Sequence, residues 1–141
     1  MEIIYPELEN PYVEGEVGKV EQALLIIKPD AFAQKDITDE ILRLLEEQCL
    51  RVEKAVVTTM NEEIVNLLYA GRISPDWSNK LLEYLTQGSS AIFMISGIKS
   101  NEKANYVKTL IRKKYGVDFI HTMVHASDSE DEALEEGRLF F

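Results

Sequence analysis

The sequence predicts an α+β domain with a split β-α-β, ferredoxin-like fold: a four-stranded antiparallel sheet with helices packed on one face. Three observations lead there. Strand-length apolar segments recur around residues 23–27, 52–57 and 91–95, and an alternating segment ends at His125. Stripes of helical period with recognisable ends separate them. Their order is β-α-β, a helical pair, β-α-β and a terminal helix, so two β-α-β halves flank an insertion.

Residues 1–20 are acidic, carry Pro6, Pro11, Gly15 and Gly18, and keep no sustained period. Ile3, Ile4, Tyr5 and Tyr12 make this stretch an extended arm lying on the domain or on a partner, with the domain itself spanning 21–141. Ala23-Leu24-Leu25-Ile26-Ile27 is continuously apolar, as expected of a strand buried on both faces. Lys28-Pro29-Asp30 ends it. Ile37, Ile41, Leu44, Leu45 and Cys49 then form a helical stripe, with Asp36 or Thr38 as cap and Cys49 as a packed, inert thiol.

Val52, Ala55, Val56 and Val57 give the second strand. Asn61 caps a short helix from Glu62 to about Tyr69, and Ser74-Pro75 starts another that runs to about Thr86 before Gly88. Ala91 to Ile95 is the third strand. Ser100 or Asn101 opens a helix through Lys114, with Ala104, Val107, Leu110 and Ile111 inward, and Gly116 breaks it.

The chain has 141 residues, 45% hydrophobic, enough for one domain with a real core. Its net charge of −10 argues against nucleic acid and anionic membrane as partners. A ferredoxin-like RNA-binding sheet is disfavoured for the same reason, and because its strands lack interleaved aromatic and basic residues. A nucleotide remains compatible, since a few local cations can hold phosphate on an acidic protein. The single cysteine permits no internal disulfide, and neither a membrane-length apolar run nor a signal-peptide pattern is present, so a cytoplasmic setting is expected.

Phe119, His121, Met123 and His125 alternate with Ile120, Thr122 and Val124, the period of an extended strand that delivers His125 to its end. Ser127-Asp128-Ser129-Glu130 has the Ser-x-x-Glu form of a capping box, so a helix should begin there and offer its positive end to an anion near His125. On a strand, His121 and His125 lie about 13 Å apart, too far to share one ion.

Several of these residues occur together in a known pattern. Leu25-Ile26-Ile27-Lys28-Pro29-Asp30-Ala31-Phe32, Thr86-Gln87-Gly88 before an apolar strand, His125-Ala126-Ser127-Asp128-Ser129 and terminal Leu139-Phe140-Phe141 follow one another in the order seen in nucleoside diphosphate kinases. Over residues 21–141 the chain resembles that family. The resemblance implies the fold derived above and magnesium-dependent transfer of a terminal phosphate between nucleoside triphosphates and diphosphates through a phosphohistidine.

By the same resemblance, His125 matches the phosphate-accepting histidine and Glu136 the carboxylate that holds its other nitrogen; from the residues alone Glu136 reads as a solvated helix position. Ser127 matches a serine bonded near the histidine, a role compatible with a helix cap. Lys28 matches a phosphate-binding lysine, against the alternative of a solvated strand end. Tyr69 matches a tyrosine near the histidine. Trp77 and Leu81 fall where the family clamps the base, although core packing at i, i+4 explains them equally. Arg112, thirteen residues before His125, matches a phosphate-clamping arginine, against the alternative of a basic helix tail with Lys113 and Lys114.

The match also has gaps. The long nucleotide-covering loop expected before Arg112 is absent, because Tyr106-Val107-Lys108-Thr109 runs straight into Leu110-Ile111-Arg112. Thr122 stands for the family's usual asparagine and Ala126 for its glycine, a costly exchange if that position needs positive φ. The expected outcome is a nucleoside diphosphate kinase of reduced efficiency, magnesium arriving on the phosphates rather than on protein ligands. The alternative is a weak or inactive nucleotide-binding or scaffold module of the same family. A homo-oligomer is expected, with a dimer through the sheet and its flanking helices preferred over assemblies that rest on the missing loop.

Overall fold

The computed structural model describes residues 9–70, 75–116 and 121–141, without the side chains of residues 75–77. Four strands, β1 (Val20–Ile27), β2 (Arg51–Thr58), β3 (Ser90–Ile98) and β4 (Val124–Ala126), form one antiparallel sheet in the order β2-β3-β1-β4. This is the α+β, ferredoxin-like arrangement expected from the sequence. Among the described residues six helices accompany it: α1 (Pro29–Phe32), α2 (Lys35–Glu47), α3 (Glu62–Leu68), α4 (Pro75–Thr86), α5 (Ser100–Tyr115) and α6 (Glu130–Gly137).

Helices cover both faces of the sheet, not one. Ala23, Leu25 and Ile27 pack with Ile37, Ile41 and Leu45 of α2 and Ala104, Val107 and Ile111 of α5. Leu24 and Ile26 point the other way, into Val65 and Leu68 of α3, Leu81, Tyr84 and Leu85 of α4, and Ala133 of α6. The unbroken apolar run of β1 follows from this, since successive residues must each meet a core.

Local chemistry explains most element ends. Asn61 accepts from the Ile64 amide at 2.9 Å and caps α3. Gly116 ends α5. At α2, neither Asp36 nor Thr38 is the cap: Gln34 holds that position without a side-chain bond, and Thr38 Oγ1 donates to the Ala31 carbonyl. At α5, Ser100 and Asn101 are already helical, and Glu21 of β1 accepts from the Asn101 amide, supplying a carboxylate at the positive end.

Cys49 is exposed rather than packed. Its φ is 56°, and the Cys49 and Leu50 amides donate back to Glu46 and Leu45, so it occupies the left-handed position just past α2. That turn lifts the thiol out of the apolar stripe and drops Leu50 into the core. Along residues 9–19 the arm has no helix or strand, but it is tied down by an Asn10–Gln48 side-chain bond and by a Glu16–Lys103 ion pair whose lysine is fully buried. No helix among the described residues is long and apolar enough to cross a membrane.

Candidate active site

Strand register places the histidine. His125 pairs with Ile26, so its side chain emerges on the face that Leu24 and Ile26 share with α3, α4 and α6. Of the alternating segment, Phe119 and Ile120 lie outside the described residues, and β4 itself begins only at Val124. Met123 adopts φ 70°, which breaks the extended run before β4, and His121 lies outside any strand, its ring 4.7 Å from that of Tyr84. Ala126 is not in the left-handed region; it is a paired strand residue opposite Leu25, so alanine there carries no backbone strain.

Glu136 rises from α6 against His125. Both carboxylate oxygens lie 3.0 Å from Nε2, and both side chains are buried. Burial holds the imidazole pKa below 6.5; the Glu136 hydrogen bond opposes that shift, while Lys28 and Lys108 add to it. Burial thus favours the neutral ring, and in the tautomer whose Nε2–H donates to Glu136 the lone pair lies on Nδ1. Tyr69, the residue that ends α3, meets the ring edge-on at 5.8 Å.

Lys28 follows β1 directly and is 3% exposed, which no solvated strand end would be. Its Nζ donates to Thr122 Oγ1 at 2.8 Å and lies 5.9 Å from the rings of both Tyr69 and Tyr84. Burial first, and then the Arg112 guanidinium, lower its pKa to about 7. Thr122 is thus a positioning partner for the lysine. Arg112 donates from Nη2 to the Val124 carbonyl at 2.8 Å and is half-buried, whereas its neighbours Lys113 and Lys114 are exposed. Its guanidinium thus lies against the strand that carries His125, unlike the exposed side chains of Lys113 and Lys114.

Ser127 does not cap α6. Ser129 does, accepting from the Glu132 amide, so the helix starts at Glu130. Ser127 Oγ instead accepts from the Leu24 amide at 2.9 Å and donates to Asn101 Oδ1 at 2.5 Å, fully buried. Asn105 Nδ2 donates to the Ser127 carbonyl at 2.8 Å. The hydroxyl's proton and one of its lone pairs are engaged inside the protein, so Ser127 fixes the turn after His125, and its full burial leaves no exposed surface for nucleotide. Leu81 is likewise core: at 5% exposure it packs among Ile26, Tyr84 and Leu85, which leaves little of it for a base. The Trp77 side chain lies outside the described residues.

Sequence reasoning missed the roles of Asn101, Asn105 and Thr122, and it also passed over Lys108. The signal for three of them was present: Asn101, Asn105, Lys108 and Arg112 are spaced four, three and four apart, one stripe of α5. Glu132 was also missed; donor atoms of His125, Glu132 and Glu136 all lie within 4.8 Å of one another. A cavity of about 190 Å³ lined by Glu132, Glu135 and Glu136 with Leu67, Leu68, Ala70 and Leu139 is acidic and unsuited to phosphate. The cations gather instead around His125, Lys28 and Arg112.

Comparison with known proteins identifies the family. The family model described as nucleoside diphosphate kinase matches residues 21–141. A nucleoside diphosphate kinase of Methanosphaera stadtmanae is 30% identical over 132 residues, covering 86% of each chain. One from Chloroflexus aurantiacus is 26% identical over 133 residues, covering 86% of this chain and 87% of its own. Among solved structures, the Halobacterium salinarum nucleoside diphosphate kinase in complex with CDP superposes with a TM-score of 0.77 at 25% identity, covering 87% of this chain and 88% of that one. The Borrelia burgdorferi enzyme with vanadate and ADP shares the fold with a TM-score of 0.73 at 22% identity, over 86% and 87% of the chains. With a family model spanning the whole region that carries the site, this chain belongs to the nucleoside diphosphate kinase family.

Proposed function

We propose that this chain transfers the terminal phosphate of a nucleoside triphosphate to a nucleoside diphosphate through a phosphohistidine on His125. The observation that carries the reading is the double approach of Glu136 to Nε2, which fixes the ring and leaves the Nδ1 lone pair as nucleophile. In the first half-reaction the bond between the γ-phosphorus and its bridging oxygen breaks, an Nδ1–P bond forms, and the diphosphate leaves. The second half-reaction reverses these steps onto another diphosphate. Glu136 stabilises the positive charge that grows on the ring as Nδ1 attacks.

Lys28 and Arg112 neutralise the phosphates, and Tyr69 walls the histidine. CDP bound to the Halobacterium salinarum relative supports a nucleotide as ligand. Magnesium would enter on the nucleotide: the convergent His125, Glu132 and Glu136 donors include an imidazole already held by a carboxylate, not the oxygen set of a dedicated magnesium cage. Bound there, the ion spreads the charge of the transferring group. Where a covering loop was sought before Arg112, α5 runs unbroken from Ser100 to Tyr115. That continuous helix is the specific observation favouring the second reading, a nucleotide-binding module with little turnover.

Assembly is proposed as a homodimer through the sheet edge. β2 is an edge strand whose Val52 and Val57 are 41% and 58% exposed, apolar surface that a second copy would cover on either side of the register shift at Val52 and Lys54.

Incubation with γ-labelled ATP and magnesium separates the two functional readings. Acid-labile, base-stable label on the wild type that passes to added GDP, and that is absent from His125→Ala, supports the kinase. Unlabelled wild type that still binds ADP establishes the silent module.

A further inference from the structure

Helix α5 presents one polar stripe to the chain around His125. Asn101 reaches Ser127 Oγ, Asn105 reaches the Ser127 carbonyl, and Arg112 reaches the Val124 carbonyl. Three members of the stripe thus touch the residues on either side of His125 and Ala126. The fourth, Lys108, lies between Asn105 and Arg112, one turn from Arg112, which sets it level with the histidine itself. Lys108 is half-buried, although lysine at a helix surface ordinarily extends into solvent.

We propose that Lys108 is a further phosphate-binding residue of this site, contacting the distal phosphate of the bound nucleotide alongside Lys28 and Arg112. This rests on the reading of the His125 site as one that binds nucleotide phosphates, whether or not the histidine is phosphorylated. Lys108 forms no ion pair or hydrogen bond with the described residues, so none of them holds its ammonium. Burial and the neighbouring Arg112 lower its pKa, opposed by Asp128 and Glu132, and it acts in turn on His125. A cation crowded by other cations gains most when an anion enters among them. The adjoining faces of α5 show that the placement is selective: Ala104, Val107 and Ile111 go to the core, while Lys113 and Lys114 stay exposed.

The test is calorimetric titration of the full chain, as wild type, Lys108→Met and Lys108→Arg, with three probes: MgATP, AMP and inorganic tripolyphosphate. Methionine keeps the stem and removes the charge, and thermal melts verify that each variant folds. In Lys108→Met, affinity for MgATP and tripolyphosphate should fall roughly ten- to hundredfold, the worth of a bond to a charged group. AMP affinity should stay within about twofold, and Lys108→Arg should recover most of the loss. Equal tripolyphosphate affinity in Lys108→Met and wild type would overturn the proposal. So would an equal loss toward AMP, or a wild type that binds no tripolyphosphate. Phosphohistidine labelling is scored separately, so Lys108-dependent polyphosphate binding without label would sink the kinase reading and leave this one standing.

Discussion

Glu136 meets the Nε2 edge of His125 with both carboxylate oxygens at 3.0 Å, across an eleven-residue separation that spans a strand end, a turn and a helix. The pair engages Nε2, so in the proposed transfer Nδ1 is the nitrogen that reacts. Glu136→Gln keeps the shape but can donate as well as accept, which relaxes the tautomer and withdraws the negative charge. Phosphoryl transfer should fall about a hundredfold or more with a small change in thermal midpoint. Because Glu136 raises the imidazole pKa against burial, the variant's histidine should also titrate lower by NMR. Unchanged titration and turnover would remove Glu136 from the mechanism.

Lys28 gives the site a pH dependence of known sign. Its pKa is lowered from 10.5 to about 7 by burial and then by Arg112. Between those values the unfolded chain holds more protons than the folded one, so stability should rise with pH across that window and be flat below it. Anion binding favours the charged lysine and should therefore draw in protons. Titrations with MgADP at pH 8 in buffers of different ionisation enthalpy should show net proton uptake, with affinity falling as pH climbs past 7. Lys28→Met should abolish the uptake. Identical proton uptake in wild type and variant would assign the lowered pKa no part in binding.

The fold was legible where one signal dominated. The continuous apolar run of β1 and the Asn61 cap needed only local chemistry. That same run should also have announced two covered faces, since Leu24 and Ile26 require a core as much as Leu25 and Ile27 do. The histidine strand misled because Met123 turns left-handed, and that depends on what surrounds it, not on alternation. Ser127 and Ser129 both begin a Ser-x-x-Glu segment; the choice is tertiary, because Leu24 and Asn101 claim Ser127. His125, Glu136, Lys28 and Arg112 could be named from pattern. Lys108 lay on a stripe visible in the sequence, but its placement waited on which turn of α5 faces β4, and that of Thr122 on where Lys28 points.

Ser127 supplies a prediction about stability and not binding. Removing its hydroxyl in Ser127→Ala strands the buried Leu24 amide and deprives Asn101 Oδ1 of its donor. The cost should be about 1–3 kcal/mol, read as a lower denaturant midpoint at an unchanged slope. Nucleotide affinity of the folded protein should move little, since Ser127 is fully buried. A large affinity loss with normal stability would return Ser127 to the ligand.

The arm offers the last test. Lys103 is fully buried, paired with Glu16, and its ammonium lies 5.6 Å from the Tyr12 ring. An ammonium without its carboxylate is costly in that setting, because it has left water and keeps only an aromatic face. Glu16→Ala should therefore destabilise by about 3 kcal/mol or more. The double variant Glu16→Leu with Lys103→Met replaces both charges by apolar groups of similar size and should recover most of that loss. Lys103 lies on α5, the helix that carries Arg112, so the single variant should also loosen the site: hydrogen exchange along residues 100–115 should quicken. Wild-type exchange and stability in Glu16→Ala would show that the arm rests on the domain without bracing it.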